Sequence, residues 1–407
     1  MTRGSEGAVP TPTVVGIALA SALVPLNSTM IAVALPEVGR AFDIPTRQAA
    51  LLITLYLGAM LVGQPLAGRL ADRLGARRLA VIATTGFGAC SAVAMLAGSF
   101  DLLVGARTLQ AVFASALVPS VQSMLREVVP AAQRGRAFGV QGSVIGVGAG
   151  LGPVIGGLVT ALFGWRAIFG VNLPVVLVVL YALRTALPAA GTVEAADRAR
   201  ATLGHPARLL NPVFGAAFSV QALFTVAQYA LVLAVPIVLD SRGWASASIG
   251  VALSFLTLGM VLVGPLGGRL GDARGRRWPV LAGGAASLVA VGAAAANGDD
   301  VVSGLIVVTM LVFGVGYGLA SPSIQTAGIE AAPLDKTGAA AGLLSAGRYV
   351  GSITSTLVLA RVVKDDGRGL QTMLLVSVAS VAVALVVAAR LPGRAATPAV
   401  EEPVPIV

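Results

Sequence analysis

The chain has 407 residues, of which 56% are hydrophobic and 11% charged, and its formal net charge is +10. A soluble domain carries about 25% charged residues and turns a polar surface to water. This composition therefore excludes disordered, collagen-like and disulfide-rich secreted proteins, and it indicates a protein that crosses a membrane many times. A single cysteine, Cys90, and a single histidine, His205, exclude an intrachain disulfide and a metal or catalytic site built on histidine clusters.

Twelve apolar runs follow one another along the chain, each near the roughly 20 residues that a helix needs to cross the hydrocarbon core. They occupy about residues 13–35, 48–68, 79–97, 102–125, 137–160, 167–187, 212–238, 248–268, 279–297, 301–328, 338–360 and 371–390. We therefore predict an all-α polytopic membrane protein with twelve transmembrane helices. The first run is too long for a signal peptide and is predicted to be an uncleaved helix.

The longest interior polar stretch lies midway along the chain and reads as a linker between two halves. The predicted organisation is a cytoplasmic tail (1–12), a six-helix bundle (13–187), a cytoplasmic linker (188–211), a second six-helix bundle (212–390) and a second cytoplasmic tail (391–407).

The basic residues are distributed unevenly between the two sides of the membrane. Of the 28 lysines and arginines, 19 fall in segments on the same side as both termini, 7 fall on the opposite side, and Arg107 and Arg348 fall inside spans. Because basic loops stay in the cytoplasm, we predict that both termini are cytoplasmic, in a bacterial-type plasma (inner) membrane. The same bias explains the net charge without a nucleic-acid partner.

Two motifs occur twice, in the same order. The segment after span 2 has identical residues 200 positions later at Pro65, Gly68, Arg69, Leu70, Asp72, Gly75 and Arg77. Residues 119–123 match residues 322–326 at an offset of 203. These matches predict two pseudo-symmetric six-helix bundles, an architecture of transporters whose substrate site lies between the repeats.

Several of these motifs resemble those of the major facilitator superfamily, and the resemblance covers nearly the whole chain. The loop after span 2 resembles the superfamily's loop 2–3 signature through Gly68, Asp72, Arg73, Gly75, Arg77 and Arg78. Span 5 resembles a motif of the drug–proton antiporter branch through Gly148, Gly150, Gly152, Pro153, Gly156 and Gly157. Arg107 and Gln110 resemble a further motif that is linked there to proton coupling. Members of that branch usually carry an aspartate at the position of Asn27.

The loop motif has a physical interpretation. Gly68 and Gly75 permit a tight turn, and Asp72 lies among basic residues that include Arg73, Arg77 and Arg136. We interpret it as a cytoplasmic latch that holds the outward-facing state closed on the inside, and Asp272 repeats it in the second half. The alternative is an ordinary basic cytoplasmic loop.

The span 5 motif places Gly148, Gly152 and Gly156 four residues apart, on one face of a helix. Small residues at this spacing let two membrane helices approach closely, and Pro153 can bend the helix. We predict that these residues, with Gly157, form a tight seam against the other half. Generic membrane packing is the alternative.

Arg107 and Arg348 are the most informative residues, because a charge inside the membrane usually faces a cavity or a partner. The predicted spans hold no Asp or Glu far from their ends, so Arg107 must be hydrated or bound by neutral groups such as Gln110. Further candidate substrate or coupling residues are Asn27, Gln228 and Tyr317. Each arginine could instead have a purely structural role.

These features predict a secondary active transporter that exports a small neutral or anionic amphiphile, such as a drug or a secondary metabolite, by alternating access. The resemblance implies that the proton gradient drives it, with membrane lipid around a monomer and no bound cofactor or metal. The alternative is an uncoupled facilitator or importer, which Asn27 favours. The sequence contains no Walker A pattern and no nucleophile–base pair, so no catalytic residues are predicted.

Overall fold

The computed structural model describes residues 11–128, 134–185, 211–332, 337–363 and 368–393. Within these ranges, twelve long helices follow the order of the predicted spans. Their bounds are α1 Thr11–Phe42, α2 Leu51–Leu74, α3 Ala76–Met95, α4 Phe100–Val128, α5 Arg134–Phe163, α6 Asn172–Thr185, α7 Pro212–Ser241, α8 Ser246–Arg274, α9 Arg277–Ala295, α10 Ser303–Glu330, α11 Thr337–Val362 and α12 Leu370–Ala388. Short helices at Thr46–Ala49, Ala167–Gly170 and Gly298–Asp300 precede α2, α6 and α10.

Each long helix coincides with one predicted span, and several run past the predicted end. Helix α1 continues to Phe42 rather than residue 35, and α2 continues to Leu74 rather than residue 68. The apolar run marks the membrane, whereas the helix continues until its backbone is interrupted, which for α2 happens at Gly75. In the described part of the chain, nine helices are long and apolar enough to cross a membrane.

The helices pack in pairs that recur six helices later. Helix α1 packs on α5 and α6, as α7 packs on α11 and α12; α4 packs on α2 and α3, as α10 packs on α8 and α9. The two sets of six meet mainly where α5 packs on α8 and where α2 packs on α11. The predicted twelve-helix fold of two pseudo-symmetric bundles is therefore confirmed.

The turn of the loop motif has the same conformation in both halves. Gly75 and Gly275, which lie 200 positions apart, end α2 and α8 with φ angles of 83° and 89°. Only glycine adopts such angles without steric cost. These two positions therefore explain why the motif needs glycine after each of these helices.

The second bundle begins with a capped helix. The Asn211 side-chain oxygen accepts a hydrogen bond from the Phe214 N–H (2.8 Å), and Pro212 occupies the first helical position, as is typical of a helix N-terminus. The Asn211 amide also donates to the Ala331 carbonyl (2.5 Å), which joins the start of α7 to the end of α10. Residues 1–10, 188–210 and 394–407, which hold most of the predicted tails and linker, lie outside the described residues.

Candidate functional site

Arg107 lies on α4 with 1% of its surface exposed, inside the first bundle. Its Nη1 donates to Oε1 of Gln110 (2.6 Å), the partner predicted one turn along the helix, and its Nη2 donates to the backbone carbonyl of Asn27 on α1 (3.3 Å). A buried charge requires such bonds because removing it unpaired from water is very costly. Both partners are neutral, so they solvate the positive charge without cancelling it.

Neutral side chains from two further helices extend this network. Nε2 of Gln110 donates to Oγ of Ser91 on α3 (2.6 Å). Nδ2 of Asn172, the first residue of α6, donates to Oδ1 of Asn27 (3.2 Å) and to Oγ of Ser91 (3.3 Å). The network therefore joins α1, α3, α4 and α6 through buried amides and one hydroxyl.

An aromatic ring covers the guanidinium. Cζ of Arg107 lies 4.1 Å from the centroid of the Tyr56 ring on α2 and 6.0 Å from the Phe169 ring. The negative face of a ring attracts a cation at such distances. We use the name Arg107 cluster for Asn27, Tyr56, Ser91, Arg107, Gln110 and Asn172.

The sequence predicted three members of this cluster, Asn27, Arg107 and Gln110, as candidate site residues. It missed Ser91 and Asn172. Asn172 did carry a signal, since it is an amide within an apolar run. Ser91 carried none, because serine is common in small-residue membrane helices and its role depends on packing between α3 and α4.

The remaining candidates lie in the second bundle. The Tyr317 hydroxyl on α10 accepts a hydrogen bond from Nε2 of Gln221 (2.5 Å), and its ring stacks on Phe224 with centroids 5.4 Å apart. Nε2 of Gln228 on α7 donates to Sδ of Met260 on α8 (3.5 Å). Tyr317 is therefore a core residue of its bundle, whereas Gln228 is half-buried between α7 and α8.

Arg348 lies on α11 at the junction between the halves. It is half-buried, its Nη2 donates to Oγ of Ser345 (3.0 Å), and it interacts electrostatically with Tyr229 and Tyr349. The Tyr349 hydroxyl accepts a hydrogen bond from Nε2 of Gln64 on α2 (2.7 Å), which crosses from one half to the other.

Three tyrosines interact electrostatically with one or both arginines. The Tyr56 ring lies against Arg107 and is within electrostatic range of Tyr229 and Tyr349, and these two are within electrostatic range of Arg348. We call Tyr56, Tyr229 and Tyr349 the junction tyrosines. Arg107 and Arg348 therefore interact electrostatically with a shared set of tyrosines that come from both halves.

The acidic residues are placed quite differently. Every Asp and Glu in the twelve long helices lies in the first or last two turns of its helix, namely Glu37, Asp72, Asp101, Glu127, Asp240, Asp272 and Glu330. The central region therefore carries positive charge, and the negative charge of the helices is confined to their ends.

Two of these acids join the halves at the end of the molecule where α1 and α7 terminate. Nη1 of Arg40 and Oδ2 of Asp240 form an ion pair (2.6 Å), and Oε1 of Glu37 accepts a hydrogen bond from Oγ of Ser246 (2.8 Å). This end is the predicted outer side of the membrane. Both contacts connect α1 with the start or end of a helix in the second half.

The span 5 glycines pack against two different neighbours. A Cβ atom at Gly148 would lie 3.0 Å from the Ala22 carbonyl oxygen, and one at Gly156 would lie 2.9 Å from Cα of Met30. A Cβ at Gly152 would overlap the Thr29 side chain. All three neighbours belong to α1 of the same half, so the predicted seam against the other half is wrong for these three glycines. Four-residue spacing defines a face, but it does not identify the helix that the face meets.

Gly157 and Pro153 do lie at the junction of the halves. A Cβ at Gly157 would overlap the backbone carbonyl of Ser246 on α8, and one at Gly250 would overlap the carbonyl of Pro153. Cα of Gly250 lies 3.1 Å from that added Gly157 Cβ. The close approach of α5 and α8 therefore depends on Gly157, which directly follows the last of the three glycines that face α1.

The second copy of the loop motif forms an ionic cluster within its own half. Arg276 binds Asp272 and also forms hydrogen bonds to both carboxylate oxygens of Glu330 at the end of α10 (3.2 and 2.7 Å). The hydrogen bonds to Glu330, and those to Asp272, raise the pKa of the Arg276 guanidinium. Sequence comparison of the repeats did not single out Arg276, because position 76 in the first half is alanine.

In the first copy, Arg77 serves as a helix cap. Its Nε and Nη2 donate to the carbonyls of Leu183 and Arg184 (2.8 Å each), which lie in the last turn of α6. Basic side chains favour this position because the last carbonyls lack partners. Arg73 is exposed. The side chains of Asp72 and Arg136, and the surroundings of Gly68, lie outside the described part of the structure, and the latch stays a prediction.

Comparison with known proteins identifies the family. Residues 17–356 match the Major Facilitator Superfamily. The chain belongs to the major facilitator superfamily. This superfamily member is therefore a multi-pass membrane protein related to transporters.

Individual relatives include export and resistance proteins. The chain is 34% identical over 173 residues to the tetracenomycin C resistance and export protein of Streptomyces glaucescens (42% of this chain, 32% of the relative). It is 38% identical over 188 residues to the multidrug efflux pump LfrA of Mycolicibacterium smegmatis (44% and 36%). The match therefore spans about a third of these relatives. The uncharacterized transporter YwoD of Bacillus subtilis is 26% identical over 403 residues (84% and 88%).

Solved structures show the same fold at low sequence identity. A D-xylose–proton symporter superposes with a TM-score of 0.76 at 15% identity, over 95% of this chain and 99% of the other. A bacterial homologue of the lysosomal transporter Spinster gives 0.74 at 15% identity, over 95% and 98%.

Proposed function

We propose that this superfamily member exports a small neutral or anionic amphiphile, such as a drug or a secondary metabolite, by alternating access. The observation that carries the charge preference is the placement of Arg107 and Arg348 in the centre of the molecule, with acidic residues confined to helix ends. In a medium of low dielectric constant this arrangement attracts anions and repels organic cations. The junction tyrosines offer aromatic faces and hydroxyl groups to such a ligand.

Export is supported by the kind of relatives that the chain resembles. Two of them are described as an export protein and an efflux pump, although the match covers about a third of each. The glycine motif of α5 resembles that of drug–proton antiporters and supports the same direction.

We further propose that the proton gradient drives this export. Asn27 leaves α1 without a carboxylate at its centre, so the titratable candidates are Asp72, Asp101 and Glu37 near helix ends. Glu37 is the best placed of them, because its hydrogen bond to Ser246 crosses between the halves. The second candidate function is an uncoupled facilitator or importer, which the amide of Asn27 favours.

The proposed location is a bacterial-type plasma membrane, with both termini in the cytoplasm and a monomer as the working unit. The excess of 19 basic residues over 7 supports this orientation. Reporter tags at each terminus should both be accessible only from the cytoplasmic side. A tag accessible from the outside would contradict it.

Everted membrane vesicles that contain the protein provide the test of function. Uptake of an anionic, a neutral and a cationic amphiphile is measured with and without an imposed pH gradient, and vesicles without the protein serve as the control. We expect gradient-dependent uptake of the anionic or neutral compound. Uptake that does not respond to the gradient would favour the facilitator, and uptake of the cation alone would refute the charge preference.

A further inference from the structure

The Arg107 cluster carries a full positive charge that pairs with no carboxylate among the residues that the structure describes. Its members contribute amides, a serine hydroxyl and a tyrosine ring, all of which are neutral. Arg107 and Asn27 are 1% and 0% exposed. Acidic side chains in the long helices lie near the helix ends, so none is placed in the middle of α1, where Asn27 lies.

The cluster also contains polar atoms that the protein itself does not bind. Seven buried side-chain atoms of the described residues lack a hydrogen-bond partner, and four of them belong to this cluster: Asn27 Nδ2, Tyr56 Oη, Arg107 Nε and Asn172 Oδ1. Buried polar groups are rarely left unpaired in native proteins. Concentration of these atoms around one buried charge therefore indicates a ligand.

We propose that the Arg107 cluster binds a monovalent anion, which supplies the negative charge that the described residues around Arg107 do not provide. The inference rests on the proposed function in that the same cluster is the candidate transport site. Either a free halide or the acidic group of a transported compound has the required chemistry.

Three of the four unpartnered atoms can donate hydrogen bonds, which favours an anion over a cation, whereas the fourth, Asn172 Oδ1, only accepts them. Arg107 Nε–H and Asn27 Nδ2–H can only donate hydrogen bonds, and the Tyr56 hydroxyl can donate one. Donors on three helices, around a guanidinium held in a low dielectric, bind negative charge strongly. A water molecule could satisfy one or two of these atoms, but it would leave the charge uncompensated.

The test measures thermal unfolding of the purified full chain in detergent, in potassium gluconate with increasing bromide at constant ionic strength. A ligand that binds only the folded state raises the unfolding temperature with its concentration. We expect a saturable rise in bromide. Tyr56→Phe, which removes one donor, should raise the half-saturating bromide concentration about tenfold.

Asn27→Asp provides the sharpest variant, because it places a carboxylate beside Arg107. We expect a higher unfolding temperature than wild type in gluconate and no further response to bromide. Gln221→Glu is the matched control: it makes the same amide-to-acid change at an equally buried site in the second bundle, next to Tyr317. This control should keep the bromide response.

Salicylate and its neutral amide, salicylamide, distinguish the two sources of the anion. A response to bromide assigns the site to a free halide, and a response to salicylate without bromide assigns it to the acid of a transported compound. The proposal is overturned if wild type responds to neither anion, if salicylamide acts as strongly as salicylate, or if Asn27→Asp keeps the bromide response. Since binding is measured without transport, failure of the exporter proposal would appear separately, in the vesicles.

Discussion

The two bundles share their helix pairings but differ in what fills their centres. Arg107 and Gln110 on α4 correspond, at an offset of 203, to Met310 and Phe313 on α10, and all four are buried. The first bundle holds a charge in a network of amides, whereas the second holds stacked aromatic rings around Tyr317. Helix packing has thus been retained in both halves, while the buried arginine and its amide partner on α4 have apolar counterparts on α10.

We expect the largest effect on transport from a substitution in the loop motif, and the motif's two copies can be compared. Asp72→Asn should abolish transport while the protein still accumulates in the membrane, because the proposed latch depends on that carboxylate. Asp272→Asn tests the second copy: its exposed pair with Arg276 contributes up to about 1 kcal/mol, and Glu330 still binds Arg276, so we expect a smaller loss of uptake than for Asp72→Asn. Vesicle uptake measures transport by each variant, and immunoblots measure its accumulation in the membrane. Normal uptake by Asp72→Asn would exclude the latch.

The next test replaces Arg107 of the first bundle by methionine, the residue at the equivalent position 310 of the second bundle. Arg107→Met should lower uptake about a hundredfold, since it leaves Gln110 and the Asn27 carbonyl without their charged donor. Met310→Leu, a volume-conserving change in the second bundle, should have little effect. Arg107→Met with wild-type uptake would show that Arg107 has no part in transport.

Two substitutions in α5 should distinguish packing within a half from packing between the halves. Gly157→Leu should reduce uptake at least about tenfold while the protein stays folded, because the new side chain overlaps α8 of the other half. Gly152→Leu overlaps α1 of the same half, so it should mainly lower the unfolding temperature. Uptake and thermal unfolding are measured on both variants. A stable, active Gly157→Leu protein would contradict this division.

The smallest expected effect concerns the ion pair at the predicted outer end. Arg40→Asp places two carboxylates together and should favour opening of the protein toward the outside. An exposed ion pair contributes up to about 1 kcal/mol, so the fraction of molecules open to the outside should rise by up to about fivefold. Labelling of Gln64→Cys by an impermeant maleimide measures this in a Cys90→Ala background. The charge swap, Arg40→Asp combined with Asp240→Arg, should restore the original rate of maleimide labelling. Equal labelling of all three proteins would exclude a gating role for the pair.

Features set by local pattern were predictable from the sequence. The apolar runs predicted all twelve long helices, and the repeated motif predicted matching turns at Gly75 and Gly275. The spacing of one turn likewise predicted that Gln110 binds Arg107. Each of these depends on neighbours in sequence or on the length of a span.

The pairing of helices in the folded protein was not predictable from the sequence. The glycine spacing in α5 identified a face but not its partner, which is α1 for Gly152 and α8 for Gly157. The same packing recurs where Gly347 and Gly351 on α11 meet α7, 199 positions after Gly148 and Gly152. Alignment of the loops at offsets of 200 and 203 does not reveal this third correspondence, because it lies within apolar helices of low complexity.

The ion pair at the end of α1 and α7 also bears on the origin of the chain. Arg40 and Asp240 are 200 residues apart, and Pro36 and Pro236 are identical at the same distance, so the partners occupy equivalent places in the two repeats. In a homodimer of one ancestral half-gene product, both places would have held the same residue, and like charges would have repelled each other there. Such a bond between opposite charges at equivalent places requires two gene copies that mutate independently, so it arose after the half-gene was duplicated.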